Sequence, residues 1–280
     1  SDNSAENIRS ENTLFTEMLP EETGIDFINE VKNQPDFNIF KYRNFYNGGG
    51  VAIGDINNDG LPDIYLTANM KPNKLYLNKG NFEFEDISES AGVEGNKPWS
   101  TGVNMVDINN DGLLDIYVSN AGNMEGDNHD NDLYINNGDL TFTQKAKEFN
   151  LAETGFSTHA SFFDYDKDGD LDAYILNNSN IPVSTLGFAE QRNIRAQDWE
   201  GVPKIFRGVG DMLLRNDDGV FTDVSEEAGI FGSLIGFGLG VMVSDFNNDL
   251  YPDIYVSNDF YERDYLYINN QDGTFTEEIE

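Results

Sequence analysis

Asp and Asn residues recur at fixed spacing in four nine-residue segments, and these are the residues best placed to do chemistry. Each segment has Asp at positions 1, 5 and 9 and Asp or Asn at position 3, and three have glycine at position 6. Side chains at positions 1, 3 and 5 can form one cup of oxygens, which position 7 extends with a carbonyl and position 9 with a carboxylate. The segments are loop one (55–63), loop two (107–115), loop three (164–172) and loop four (245–253).

These oxygen-only donor sets predict hard-cation sites, with Ca²⁺ bound in three to four of the loops. Ca²⁺ accepts many oxygen ligands in flexible geometry, whereas Mg²⁺ demands a tighter octahedron and ranks second. One copy would also fit a polar turn, but four copies in register favour cation binding. The predicted ligands are Asp55, Asn57, Asp59, Leu61 and Asp63; Asp107, Asn109, Asp111, Leu113 and Asp115; Asp164, Asp166, Asp168, Asp170 and Asp172; and Asp245, Asn247, Asp249, Tyr251 and Asp253.

The four loops are not equivalent. Loop three has the most acidic residues, whereas loop four has Leu250 where the others have glycine, so loop four is predicted to bind more weakly. The spacing resembles the first half of an EF-hand, but position 12 lacks the bidentate Glu and the flanking residues favour strands. EF-hand helices are therefore rejected. Position 12 is Leu66, Val118, Ile175 or Val256.

The flanks of the loops repeat as well, with one short apolar stretch before each loop and three after it. Each unit thus predicts four short strands that need neighbours to bury their faces, which favours an all-β fold, a β-propeller, over a linear β-solenoid. We expect about four to five blades in this chain. The repeats lie around 48–98, 99–155, 156–235 and 236–280, the third with an insertion at 179–210. Residues 1–14 are predicted to be a polar tether and 15–46 to supply closing strands.

The composition excludes several functional classes. The chain has 280 residues, of which 17 are basic and 51 acidic, giving a net charge of −34 that repels nucleic acids and anionic membranes. Cysteine is absent and there are two histidines, which excludes thiolate chemistry and argues against a zinc site. No apolar run is long enough to predict a transmembrane helix.

These repeats resemble the FG-GAP or VCBS repeats of integrin-α-type β-propellers. The run 257–270, together with Trp99-Ser-Thr-Gly102, is similar to the cartilage-acidic-protein and ASPIC/UnbV-type branch, which is common in secreted or surface proteins of Bacteroidota. The resemblance implies a seven-bladed calcium propeller whose remaining blades lie outside this sequence. Ser1-Asp-Asn-Ser resembles the export tag of surface lipoproteins, which implies a lipid anchor. An ordinary polar tail is the alternative.

The resulting functional prediction is a non-catalytic binding or scaffold protein, located outside the cytoplasm as a secreted or outer-membrane surface component. The resemblance implies a protein partner in an outer-membrane complex. The alternatives are a calcium-dependent carbohydrate-binding protein and a polysaccharide lyase-type enzyme. His159 is expected either to face the central channel or to pack between strands, and His129 to be solvated. The insertion either covers the propeller face or binds a partner or glycan through Arg192, Arg195, Trp199 and Arg207, with Lys204 beside them.

Overall fold

The computed structural model describes residues 14–122, 128–179, 194, 195, 198, 210–232, 234–259 and 262–279. Within them the chain forms sixteen strands and two short helices, neither of which has the length or apolar character that a membrane span requires. The elements are α1 (Pro20–Thr23), β1 (Val51–Gly54), β2 (Asp63–Leu66), β3 (Lys74–Asn78), β4 (Phe84–Asp86), α2 (Ser88–Ala91), β5 (Ser100–Val106), β6 (Asp115–Asn120), β7 (Asp132–Asn136), β8 (Phe142–Gln144), β9 (Ser157–Phe163), β10 (Asp172–Asn177), β11 (Met212–Asp217), β12 (Val220–Asp223), β13 (Gly238–Ser244), β14 (Asp253–Asn258), β15 (Tyr265–Asn269) and β16 (Phe275–Glu277).

The strands form four separate four-stranded antiparallel sheets, each with its strands in chain order. The first strands of successive sheets contact one another, β1 with β5, β5 with β9 and β9 with β13, so the sheets are arranged radially around them. This is the blade architecture of a β-propeller. The prediction of an all-β fold with four-stranded blades is confirmed. Each predicted loop joins the first strand of a blade to the second, which places all four loops at the same end.

Apolar side chains fill the space between neighbouring blades rather than the interior of any one sheet. Between the first and second blades, Tyr65 and Leu75 pack in one cluster with Ile116 and Val118, and all four are fully buried. Equivalent clusters separate the second blade from the third and the third from the fourth. Burying one such side chain contributes about 1.5–3 kcal/mol, so the interfaces between blades are the main source of stability.

Among the described residues, no blade packs against the outward faces of the first and fourth blades. On the first blade Val51 and Ile53, which alternate with the buried Ala52, are 59% and 65% exposed. On the fourth blade Met242 is 60% exposed, whereas its neighbours Val241 and Val243 pack against the third blade. The four blades therefore share three cores.

The prediction that residues 15–46 supply closing strands is wrong. This segment contains α1 and irregular structure, and no strand. Its aromatic side chains instead surround Trp99 at the end of the blades opposite the loops. Phe37, Tyr42 and Phe45 have their ring centroids 5.2, 5.5 and 5.2 Å from that indole. Packing of aromatic rings on one buried side chain, rather than the alternating pattern and hydrogen bonding of a β-strand, determines the path of this segment.

A buried carboxyl group lies between the second and third blades. Glu153, which is 9% exposed, accepts hydrogen bonds from the backbone N–H of Gly155 (2.5 Å) and the hydroxyl of Ser157 (3.1 Å). Ser157 also accepts from the amide of Asn131 at 2.9 Å, and its single hydroxyl proton is shared between Glu153 and the amide oxygen of Asn177, which lies 2.9 Å away. Burial raises the pKa of Glu153 to about 7.

Candidate metal-binding loops

Two left-handed residues shape the backbone of every loop. In loop one Asn58 at position 4 has φ 57° and Gly60 at position 6 has φ 86°. Asn and Gly tolerate this conformation better than other residues, which explains why they recur there. The same two positions are left-handed in the other loops, at Asn110 and Gly112, Lys167 and Gly169, and Asn248 and Leu250.

Backbone N–H groups hold the carboxylates of positions 1 and 5 toward the inside of each loop. In loop one, Asp55 accepts from the N–H groups of Asp59 (3.1 Å) and Gly60 (2.7 Å), and Asp59 accepts from Leu61 (2.8 Å). The three other loops repeat these bonds with nearly the same lengths. The loop is thus ordered by its own backbone, and the acidic oxygens are collected in one place.

The position-9 aspartate is fully buried in all four loops and ties each loop to its sheet. Asp63 accepts from the N–H of Ile56 in the loop (3.0 Å) and of Asn78 at the end of β3 (2.7 Å). Burial is the main cause that raises the pKa of Asp63. In the equivalent residues, burial raises the pKa of Asp115 to about 6 and the pKa of Asp172 to about 7. These groups are held where a bound cation would favour their charged form.

Loop three concentrates the most negative charge. Carboxylate oxygens of Asp164, Asp166 and Asp172 lie within 4.8 Å of one another, and no other such cluster occurs among the described residues. Burial first, and then the charges of Asp168 and Asp164, raise the pKa of Asp166. An all-oxygen set whose members repel one another is chemically suited to a hard divalent cation. Loop three therefore fits Ca²⁺ best.

Loop four keeps the geometry of the others despite its substitution. Leu250 adopts φ 74° and donates its N–H to Asp245 at 2.9 Å, as glycine does in the other loops. A left-handed conformation costs a residue with a Cβ about 1–2 kcal/mol. Weaker binding in loop four stays a prediction.

The structure also identifies a residue type that the sequence analysis did not place in the site. Asn136, the last residue of β7, donates its backbone N–H to Asp115 of loop two (2.8 Å) and its side-chain amide to the carbonyl of Ile56 in loop one (2.8 Å). Asn269 connects loops four and three in the same way, through Asp253 and Tyr165. The available signal was an Asn at or next to the end of the third strand of every blade. Asn136 and Asn269 join loops of adjacent blades.

Asn216 occupies the equivalent position in the third blade and provides a matched control. Its backbone N–H bonds Asp172 (2.9 Å) and its amide bonds Leu171 (3.1 Å), both in its own blade. We expect Asn136→Ala to destabilise the calcium-loaded protein by about 1 kcal/mol more than Asn216→Ala, because only the first also removes a bond between blades. Urea unfolding measures both losses. Equal losses would show that the hydrogen bond between blades does not contribute to the free energy of unfolding.

A second comparison tests the predicted ranking of the loops. Asp166→Ala removes a carboxylate from the acidic cluster of loop three, whereas Asn247→Ala removes a neutral amide from loop four. We expect the first to lower the melting temperature in calcium more than the second, and the difference to disappear in a chelator. A larger effect of Asn247→Ala would reverse the ranking.

Of the predicted partner-binding residues, Arg192, Trp199 and Arg207 lie outside the described residues, as does Lys204. Arg195 is described and is 8% exposed, with its guanidinium donating to the carbonyls of Ile230 (3.2 Å) and Asp211 (3.5 Å). This placement makes it a packing residue of the blade and does not support partner contact.

The two histidines differ in their surroundings. His129 is solvated only in part, because it is half-buried and its ring stacks on Phe156 at 5.3 Å. Its Nε2 bonds the carbonyl of Thr154 at 2.8 Å. His159 is half-buried in β9 and lines a cavity where the first strands begin. Its ring also packs on the neighbouring strand, because a Cβ added to Gly102 of β5 would lie 2.8 Å from its Nδ1, so features of both alternatives are observed.

The fold and the loops define a protein of the β-propeller class, and part of the chain is similar to a known family of repeats. Residues 55–118 and 121–175 match the family model described as an FG-GAP-like repeat.

The chain is also similar to cartilage acidic protein 1. It is 41% identical to the Xenopus tropicalis protein over 78 residues, which are 28% of this chain and 12% of that protein. It is 31% identical to the Mus musculus protein over 135 residues, which are 46% of this chain and 20% of that protein. The chain thus spans a fifth or less of these relatives.

A solved structure of an Agrocybe aegerita lectin, described by its recognition of non-reducing terminal N-acetylglucosamine, covers 80% of this chain and 64% of its own. It shares 16% sequence identity with a TM-score of 0.31, which is too distant to inform the site.

Proposed function

We propose that this protein is a calcium-stabilised, non-catalytic β-propeller that acts as a binding or scaffold component outside the cytoplasm. The acidic cluster of loop three is the observation that carries the proposal. In each loop, side chains of positions 1, 3, 5 and 9 and the carbonyl of position 7 would hold the ion. Bound Ca²⁺ neutralises the carboxylates and connects the first two strands of the blade. The buried position-9 aspartate extends that connection to the third.

A non-catalytic role is supported by how the acidic side chains are used. The carboxylates of positions 1 and 9 each accept two hydrogen bonds from their own loop or blade, and that of position 5 accepts at least one, so they are held as ligands rather than free to exchange protons with a substrate. The alternative of a calcium-dependent carbohydrate-binding protein keeps the same role for the metal. A polysaccharide lyase-type enzyme needs a base in a cleft, a role for which the loop carboxylates are poorly suited because they are held by their own loop.

The cellular setting is proposed on the family resemblance. The proposed location is the outer-membrane surface or the secreted fraction, with a protein partner in an outer-membrane complex and a lipid anchor at the N-terminus. The net charge of −34 supports the exclusion of nucleic acids as partners. Co-purification from intact outer membranes, compared with a variant whose insertion at 179–210 is replaced by a short Gly/Ser linker, tests this part.

Native mass spectrometry tests the metal assignment. We expect three to four Ca²⁺ ions per chain, with one fewer in Asp172→Asn. Asp139→Asn, which alters an exposed turn aspartate outside the loops, should retain the full number. A chain that carries no calcium at millimolar free Ca²⁺ would overturn the proposal, and measured lyase activity on acidic polysaccharides would favour the enzyme.

A further inference from the structure

The segment that leaves the fourth strand of a blade docks on the blade that follows it. In the first three blades this segment turns through a left-handed residue, with φ of 75°, 57° and 80°. Each of these residues lies against the carbonyl of a phenylalanine near the start of the next fourth strand. The residue pairs are Gly92 with Phe142, Asn150 with Phe221, and Gly229 with Phe275.

The N-terminal segment repeats this arrangement on the first blade. α1 ends in Gly24, which has φ 78°, and a Cβ added there would lie 2.3 Å from the carbonyl oxygen of Phe84 at the start of β4. Two residues later, Asp26 accepts from the hydroxyl of Tyr76 in β3 at 3.4 Å, and the corresponding residue of the third blade contacts the second tyrosine of β15. Residues 24–26 therefore occupy the place that the end of a preceding blade would take.

The residues before Gly24 have the sequence of a fourth strand. Phe15-Thr16-Glu17 is identical to β16, Phe275-Thr276-Glu277. Phe15 lies nine positions before the left-handed residue, and the equivalent phenylalanines lie eight positions before theirs. Residues 15–17 form no strand here and Phe15 is 90% exposed, whereas its counterparts in β8, β12 and β16 are buried.

The four described blades have no edge for this strand. Each third strand, β3, β7, β11 and β15, already pairs with the second strand on one side and with its own fourth strand on the other. A second copy of the chain would bring the same four complete sheets. The edge that fits residues 15–17 is the third strand of a sheet that has only three strands.

The outward face of the first blade suits the same neighbour. Val51 and Ile53 are exposed, whereas Val103 and Met105 at the same places in the second blade pack in the interface with the first. Phe84 is half-buried, although the phenylalanines at its position in the other blades are buried. A blade docked on this face would cover all three side chains.

We propose that residues 15–17 become the fourth strand of a further blade of this repeat, which supplies only three strands and docks on the outward face of the first blade. Phe15 then packs between blades, as Phe275 does. The hydroxyl of Thr16 donates to an asparagine that follows the partner's third strand, as Thr276 donates to Asn270 at 3.1 Å. Addition of a strand to a sheet edge gains main-chain hydrogen bonds, and the side chains fix its register.

Disulfide crosslinking tests this pairing, because the chain has no cysteine of its own. The donor is the full chain with Thr16→Cys. The probe is a second full chain whose β16 is disrupted by Phe275→Asp and Thr276→Pro, which opens the β15 edge, and whose own N-terminal strand is disabled by Phe15→Asp. Near-ultraviolet circular dichroism establishes that the probe is folded. A chain ended after Asn270 is the second probe, for use where these substitutions unfold the first.

The register of β16 predicts which cysteines meet. Thr276 lies opposite Ile268, so Thr16→Cys should crosslink to a probe with Ile268→Cys about tenfold faster than to one with Leu266→Cys, which is two residues away on the same face. Phe15→Asp in the donor should slow the reaction about tenfold or more, because it removes the ring that is buried on docking. Phe40→Asp alters an equally exposed ring of the N-terminal segment and should leave the rate unchanged.

Three results would overturn the proposal: no crosslink to a folded probe, equal rates at Ile268 and Leu266, or an undiminished rate with Phe15→Asp in the donor. A chain with intact β16 and Ile268→Cys is the last control, and it should not crosslink. Rapid crosslinking to it would mean that two complete copies exchange this strand, which would also refute a three-stranded partner.

Discussion

Chelation of calcium should lower the melting temperature of this protein by about 15 °C or more, the largest effect that the structure predicts. At a free Ca²⁺ concentration of 100 times the dissociation constant, each site contributes about 2.7 kcal/mol. Three sites contribute about 8 kcal/mol, and each kcal/mol shifts the midpoint of a chain of this size by about 2–4 °C. The physical cause is repulsion between carboxylates that are held close together and that lose the neutralising cation, most of all in loop three.

Differential scanning calorimetry in Ca²⁺, in Mg²⁺ and in a chelator measures this effect. Mg²⁺ should restore less of the stability than Ca²⁺, because it tolerates an irregular, protein-only oxygen set poorly. Asp139→Asn should show the full calcium-dependent shift and Asp172→Asn a smaller one. A melting temperature that does not change after complete metal removal would refute the stabilising role of calcium.

Glu153→Gln should stabilise the protein at pH 8 by on the order of 2–3 kcal/mol. Burial raises the pKa of Glu153 to about 7 in the folded state, against an ordinary value of 4.5. Between these two values the unfolded chain loses its proton first, so this group makes the folded state less stable as the pH rises. Above pH 7 the full effect is present, and one pKa unit corresponds to about 1.4 kcal/mol.

The substitution is compatible with the surrounding hydrogen bonds. The glutamine oxygen can accept from Gly155, and its amide can donate to Ser157, which then keeps Asn177 as its own acceptor. Unfolding in urea at pH 5 and pH 8, both in calcium, should show a gain that grows with pH. Glu83→Gln, at an exposed glutamate of the first blade, serves as the control. A gain of the same size at both pH values would refute the assignment of the effect to ionisation.

The blades were predictable because their signals are local. Each loop, strand and turn is encoded within its own repeat, so comparing the sequence with itself finds the blades and the residues of positions 1 to 9. The left-handed backbone at Gly60, for example, follows from the residue type and its place in the pattern.

Contacts between distant parts of the chain were not predictable in this way. The packing of Phe37 on Trp99, the stacking of His129 on Phe156 and the bond from Asn136 to Ile56 join residues far apart or in different blades. No period in the sequence pairs these residues. The aromatic cluster around Trp99 and the bonds between blades are therefore visible only in the folded chain.

Because the four blades have three apolar interfaces between them, they should differ in how easily they unfold locally. A blade in the middle is held from both sides, whereas β1–β4 and β13–β16 are each held from one side only. In arrays whose units interact only with their neighbours, the end units open first. Amide protons of the two outer sheets should therefore exchange before those of the inner two. A neighbour docked against Val51 or Met242 would slow that exchange without altering any calcium loop.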